Sequence, residues 1–250
     1  MRASFYHDSL EAIHRLLLDH DITRGCLSCA GVRLDGEVVH PDSRIKFALP
    51  DGSWLTGLEF AHLFSVFDGS RVHQQTLREV GLDGAPPGAY FSVVNSRFIQ
   101  NQHKNKFGLI LGDRGDASPF VKSLYIDHYF LDERKTKVCL GTIAFALIAL
   151  TAYQAGLHNI SLVAAGGKGH DRRFLGYKVW PKLGFDAVLR LGEADGPVEL
   201  KACYTVQDVL RCNSNWWDEN GSQRLMQFDL SPDSASWRKL ISYVCIKLGI

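Results

Sequence analysis

The chain has 250 residues, 46% of them hydrophobic and 22% charged, and a net charge of +1. That balance excludes a disordered chain, a strongly basic nucleic-acid binder and a polybasic membrane-surface anchor. Six cysteines in a chain long enough to bury its own core predict free thiols in a reduced compartment, and without an apolar signal core near Met1 a cytoplasmic location is expected.

The first pattern along the chain is helical. Over 7–20, Leu10, Ile13, Leu16 and Leu17 share one face, and Asp8 or Ser9 can cap the start. Asp35-Gly36 inside VRLDGEVV predicts a hairpin with a type I′ turn. Ser53 opens a second helical pattern over 54–67, ending near Asp68-Gly69, and a short helix is expected over 71–80. Pro86-Pro87-Gly88 then interrupts the chain. Strands are expected over 89–100 and 107–112, joined by a polar segment over 101–106, with a turn over 113–119. The clearest strand runs over 121–131, rich in aromatic and β-branched residues. Cys26-Leu-Ser-Cys29 has metal-ligand spacing, but Cys203 and Cys212 are wrongly spaced to complete a zinc knuckle. Buried thiols and no metal site are therefore expected.

The segment 138–157, VCLGTIAFALIALTAYQAGL, carries no charge and has the length of a membrane span. Thr142, Thr151, Tyr153 and Gln154 interrupt it, Gly156 sits at a helix C′ position, and a strand pattern over 159–165 follows. These features favour a buried helix of a globular domain, with no membrane association. A helix apolar all round must be covered all round. The sheet is expected on one side and the terminal segments on the other, with a second copy of the chain, as a homo-oligomer, the alternative cover. A helix ending in Trp-Pro-Lys-Leu-Gly-Phe over 180–185 comes next, then a strand over 187–191. The tail holds a helix over 205–212, the Trp216-Trp217 pair, and a last helix from Pro232 with Ser231 as its cap.

The turn before the apolar run is basic, with Arg134, Lys135 and Lys137. The first amides of a helix have no intrahelical acceptor and sit at the positive end of the macrodipole, so this turn is suited to phosphate. Gly141 would let phosphate approach the backbone closely. The order strand, loop, helix, strand, helix, strand over 121–191 resembles the core of the GNAT (Gcn5-related N-acetyltransferase) superfamily. In that family the strand ends in a loop of pattern Arg/Gln-x-x-Gly-x-Gly/Ala, which opens a long helix. Here the loop is Thr136-Lys137-Val138-Cys139-Leu140-Gly141, and only the last glycine is retained. The family's last core helix has the pattern Asn-x-x-Ala-x-x-Leu-Tyr-x-x-Leu-Gly-Phe. The matching positions are Arg173, Gly176, Val179, Trp180, Leu183, Gly184 and Phe185, with the Leu-Gly-Phe ending kept.

The resemblance implies an α/β fold: a GNAT-like mixed central sheet flanked by helices, with N-terminal and C-terminal helical elaborations. It places an N-terminal extension over 1–85, the core over 86–195 and a helical appendage over 196–250. It implies acetyl-CoA or another acyl-CoA, held by Phe130, Leu131, Lys137, Val138, Cys139, Leu140, Gly141 and Thr142. The activity implied is acyl transfer to an amine-bearing acceptor, by direct attack of the amine on the thioester. The family's phenol is replaced by Trp180, whose indole is too weak an acid to protonate a thiolate. Tyr177, nearly one turn earlier, is the substitute.

For the base, strand alternation puts Tyr125, Asp127 and Tyr129 on one face and His128 on the other. Asp127 comes first, His128 second and Glu133 third. The oxyanion would meet a backbone N–H near Phe130 or Leu131. Glycines in 166–169 suggest a loop beside the acceptor site. Two rivals stand beside this enzyme. One is a GNAT-like binding or regulatory domain that has lost catalysis. The other is an acetyltransferase-type toxin or effector that meets a macromolecule through Arg172, Arg173, Lys178 and Lys182.

Overall fold

The computed structural model describes residues 2–48, 54–78, 84–100, 102–113, 119–171 and 173–250. Ser53, Val80, Asn101, Arg172 and most of the expected turn over 113–119 lie outside the described residues. The first helix starts earlier than its capping residues suggested. It comprises α1 (Arg2–Phe5), a π turn over Tyr6–Leu10 and α2 (Glu11–Asp19). The buried residues are Phe5, Leu10, His14 and Leu17, while Leu16, expected on the core face, is exposed. A short helix α3 (Asp21–Cys26) follows, and β1 (Arg33–Leu34) and β2 (Glu37–Val38) form the expected hairpin around Asp35-Gly36.

The helix expected over 54–67 is shorter. Strand β4 (Trp54–Thr56) pairs with β3 (Arg44–Ala48), and α4 (Gly57–Leu63) begins only after it. Thr56 and Glu59 form a capping box that fixes this start. The helix expected over 71–80 is instead a strand, β5 (Arg71–Arg78), paired antiparallel with β6 (Gly88–Val94). Then come β7 (Asn105–Asp113), β8 (Pro119–His128), α5 (Leu140–Gln154), β9 (Asn159–Gly167) and α6 (Gly176–Lys182). Gly184 follows α6 at a φ of +100°, where a Cβ would meet the Ser236 carbonyl, so the Leu-Gly-Phe glycine is required by the backbone.

No strand forms over 187–191, which contributes one isolated bridge, Val188 to Thr205. Helix α7 (Val206–Asn220), kinked at Asn213, carries both tryptophans. Trp217 is fully buried and its Nε1–H donates to the Tyr177 carbonyl at 2.9 Å. The stretch expected to be only helical then supplies the edge strand β10 (Ser222–Asp229), before α8 (Ala235–Leu248), capped by Ser234.

The main sheet has the order β10-β9-β8-β7-β6-β5-β1-β2. It is mixed: β8 and β9 run parallel, as do β1 and β5, and the other neighbours are antiparallel. Phe91, Phe107, Ile126, Leu162 and Met226 stand side by side across it, and all are buried in the main core. Tyr90, Gly108 and Tyr125 form the neighbouring row, and Tyr90 and Tyr125 make a separate small cluster, because adjacent residues of a strand point to opposite faces. The architecture is therefore α/β, with a large mixed sheet flanked by helices.

Helix α5 is buried throughout 143–153, with α2, α3, α4 and α8 packed against it. The terminal segments cover it, as its composition required. Its C-terminal end is closed by Arg2, whose guanidinium donates to the Leu157 carbonyl and lies 4.6 Å from the Tyr153 ring centroid. Among the described residues no helix is long and apolar enough to cross a membrane.

His62 of α4 is buried and its Nε2–H donates to the Leu27 carbonyl at 3.0 Å. Burial pushes its pKa down from 6.5 to about 4, helped by nearby His14. The unfolded chain takes up this proton near pH 6.5 and the folded chain only near 4, so stability falls as pH drops through that window. The full effect is on the order of 3 kcal/mol. Chemical denaturation between pH 7 and 4.5 should show this loss, and His62→Gln should flatten the slope.

Candidate functional site

Strands β8 and β9 pair over only three positions, Leu124 with Ile160, Tyr125 with Ser161 and Ile126 with Leu162. Beyond Leu162, β9 continues to Gly167 in partnership with β10 alone. The two parallel strands thus part at their C-terminal ends. A cavity of about 960 Å³ occupies the gap, and the amino end of α5 opens into it. Phe130, Leu131, Lys137, Cys139, Leu140, Gly141 and Thr142 all line it, as do Asp127 and His128. Val138, although exposed, is not on its wall, and neither is Tyr177.

The start of α5 has free donors. Leu140 N–H bonds the Lys137 carbonyl at 3.1 Å and Ile143 N–H the Cys139 carbonyl at 2.9 Å, while Gly141 and Thr142 between them find no backbone acceptor among the described residues. No acidic residue lies in the first turn and no side chain caps it. The positive end of this helix dipole is therefore uncompensated, in contrast to the end held by Arg2. A Cβ at Gly141 would stand 3.2 Å from Leu131 Cδ1, on the cavity wall.

Cys139 adopts φ +70°, the left-handed conformation that glycine favours. Its thiol points to the Lys247 carbonyl of α8 at 3.5 Å. The preceding turn is organised by buried Asp132, which accepts the Arg134 amide at 3.2 Å and faces Lys135 Nζ at 3.3 Å. Burial alone would raise this carboxyl's pKa, but these donors hold it below its ordinary value. Lys135 also donates to the Ser96 carbonyl and does not line the cavity, whereas Arg134 and Lys137 do.

The strand alternation expected from the sequence breaks at Asp127. Lys106 pairs with His128 and Phe107 with Ile126, so Asp127 is an extra residue, a β-bulge. The bulge shifts the parity of everything after it. Tyr125 faces the small cluster with Tyr90, but Tyr129 packs on Phe107 and Trp180 in the main core. Asp127 and Tyr129 do not share a face.

Asp127 is ion-paired with Lys106 Nζ at 2.8 Å, both side chains more than nine-tenths buried. Its Oδ2 also lies 3.4 Å from His128 Nδ1. Burial would raise the Asp127 pKa, but the hydrogen bonds from His128 and Lys106 outweigh it and hold the group down to about 2. So acidic a carboxylate takes up no proton at neutral pH. His128 is half exposed.

The Phe130 N–H donates to Asn105 Oδ1 at 2.7 Å, leaving Leu131 as the other expected backbone donor. Tyr177 donates its hydroxyl to the Asp218 carbonyl at 3.0 Å, which ties it to α7. Two phenols that the sequence did not single out, Tyr129 and Tyr243, line the cavity. Tyr129 pairs with Ser65 Oγ at 3.1 Å, and burial pushes its pKa up to about 12. Only folding brings α8 and the strand end to one cavity, so spacing alone could not have marked these phenols.

All six cysteines are free, with Cys203 and Cys212 sulfurs 3.7 Å apart, and among the described residues no group of three potential metal ligands forms. No protein-family model and no curated protein sequence matches the chain.

The left-handed Cys139 yields a direct test of the loop. Cys139→Gly should raise stability by up to about 1 kcal/mol by removing the strained Cβ, while Cys139→Ala should give no such gain. Denaturant midpoints of the three proteins measure this.

Proposed function

We propose that this chain is an acyl-coenzyme A-dependent N-acyltransferase of GNAT-like fold. One observation carries the proposal. A helix buried along its length presents two acceptor-free amides and an uncompensated dipole to a cavity between parting parallel strands. That arrangement suits a pyrophosphate, and a cavity of about 960 Å³ has room for the rest of a long acyl carrier. The glycine-like backbone of Cys139 supports the same reading.

Bound acyl-coenzyme A supplies an activated thioester. The Gly141 and Thr142 amides hold phosphate, with Arg134 and Lys137 adding charge. The Leu131 N–H is the donor to the thioester oxygen. His128 removes the proton of the attacking ammonium, and Asp127, anchored by Lys106, orients the imidazole through Nδ1. Tyr129, packed against Trp180, stands beside the place the family pattern gives to its acid, and it takes the role expected of Tyr177.

A non-catalytic binding module is the second reading. It is favoured by the pinned Asp127, by Trp180 and by the high pKa of Tyr129.

Titration calorimetry with coenzyme A should give saturable one-to-one binding. Gly141→Trp, which places an indole on the cavity wall, should weaken it at least about tenfold, the loss of one phosphate contact. Folded wild-type protein that evolves no heat contradicts the proposal. With an amine substrate, His128→Gln should lower kcat/KM by about 10²-fold or more. Binding without turnover across amines selects the second reading.

A further inference from the structure

The cavity has two chemically different arms. Gly141, Thr142, Trp180 and Tyr243 line the arm toward α5. Beyond the bulge, Asp127, His128 and Phe130 point to the opposite face of the sheet, the face that Val163 of β9 shares, and the Phe130 ring meets Phe174 there. Two apolar side chains on this arm are unusually exposed, Val163 at 42% and Phe174 at 40%. They converge on one cavity instead of being scattered, which marks a binding surface.

Two aromatic rings frame it. The Phe130 ring is stacked on one side by His103, centroids 4.1 Å apart and planes at 27°. Its other neighbour is Phe174, at 6.5 Å with planes at 59°. Phe174 is held in place by the backbone. Gly166, at φ +101°, lies so close to the Phe174 carbonyl that a Cβ there would stand 1.8 Å from its oxygen. The glycine loop therefore lays Phe174 across the end of β9 and does not swing free.

The carboxylates of the cavity suit a single ammonium better than a polycation. Asp127 is neutralised by Lys106, and Asp132 by Arg134 and Lys135. Arg173, at its rim, is tied to Asp171 by paired hydrogen bonds. A spermidine-like or aminoglycoside-like acceptor needs several free carboxylates, and among the described lining residues Glu133 is the one that forms no ion pair.

We propose that this arm binds an arylalkylamine, its ring against Phe130 and Phe174 and its amine toward His128. As an acceptor in the reaction, which rests on the acyltransferase reading, the amine nitrogen gains the acyl carbon as the C–S bond breaks. The ammonium proton goes to His128 and coenzyme A leaves as the thiol.

Calorimetry with 2-phenylethylamine, tryptamine, butylamine and spermidine, each with and without saturating coenzyme A, tests the binding. The aryl amines should bind about tenfold more tightly than butylamine or spermidine. Phe174→Ala, at an exposed position, should fold, as its melting temperature will report, and should erase the preference. Equal or tighter binding of butylamine or spermidine, no aryl-amine binding in either condition, or a preference that survives Phe174→Ala overturns the proposal. If coenzyme A does not bind but the Phe174-dependent preference is present, this inference stands and the acyltransferase reading falls. If coenzyme A binds and acetyl passes to spermidine but not to aryl amines, the reverse holds.

Discussion

Helix α5 cannot be exposed, and the rest of the architecture follows from that constraint. It has no charged residue and no solvated face, and burying each of its large apolar side chains is worth about 1.5–3 kcal/mol. Phe145 alone touches Trp180, Phe185 and Phe228, from two distant parts of the chain. A sheet can cover only one side of such a helix. The N-terminal helices, α4 and α8 cover the remainder, so the segments flanking the central pattern are part of one core with it.

Burial along the length leaves chemistry only at the ends. At the C-terminal end Arg2 satisfies a carbonyl and places a positive charge against the negative pole of the helix. At the amino end nothing comparable is present. The strands beside it part, and the amides of Gly141 and Thr142 face a cavity. One end of the helix is closed by a charge, and the other opens into the cavity.

How much of this was legible in the sequence depended on where the signal resided. The apolar run, the β8 and β9 patterns and the Leu-Gly-Phe ending are local, and they placed the central helix, its neighbours and the lining residues from Lys137 to Thr142, apart from Val138. Strand β5 was mistaken for a helix because RVHQQTLR shows no apolar alternation, and Arg71, His73, Gln74 and Gln75 are exposed. Strand β10 was missed for a related reason. Its inward residues are Ser222, Arg224, Met226 and Phe228, and the arginine is buried only because Glu193 pairs with it and Trp217 lies under it. The bulge at Asp127 depends on the register with β7, which no reading of β8 alone can supply. That bulge changed the assignment of the base, by separating Asp127 from Tyr129 and joining it to Lys106 and His128.

The account rests on the free amides at the head of α5. Backbone amide NMR of the full chain, titrated with coenzyme A, reads them directly. The account predicts that Gly141 and Thr142 show large downfield proton shifts, as amides do on bonding to phosphate, while amides in the middle of α5 stay still. Coenzyme A binding that leaves both signals unmoved, or that shifts resonances remote from the β8–β9 gap, would contradict it.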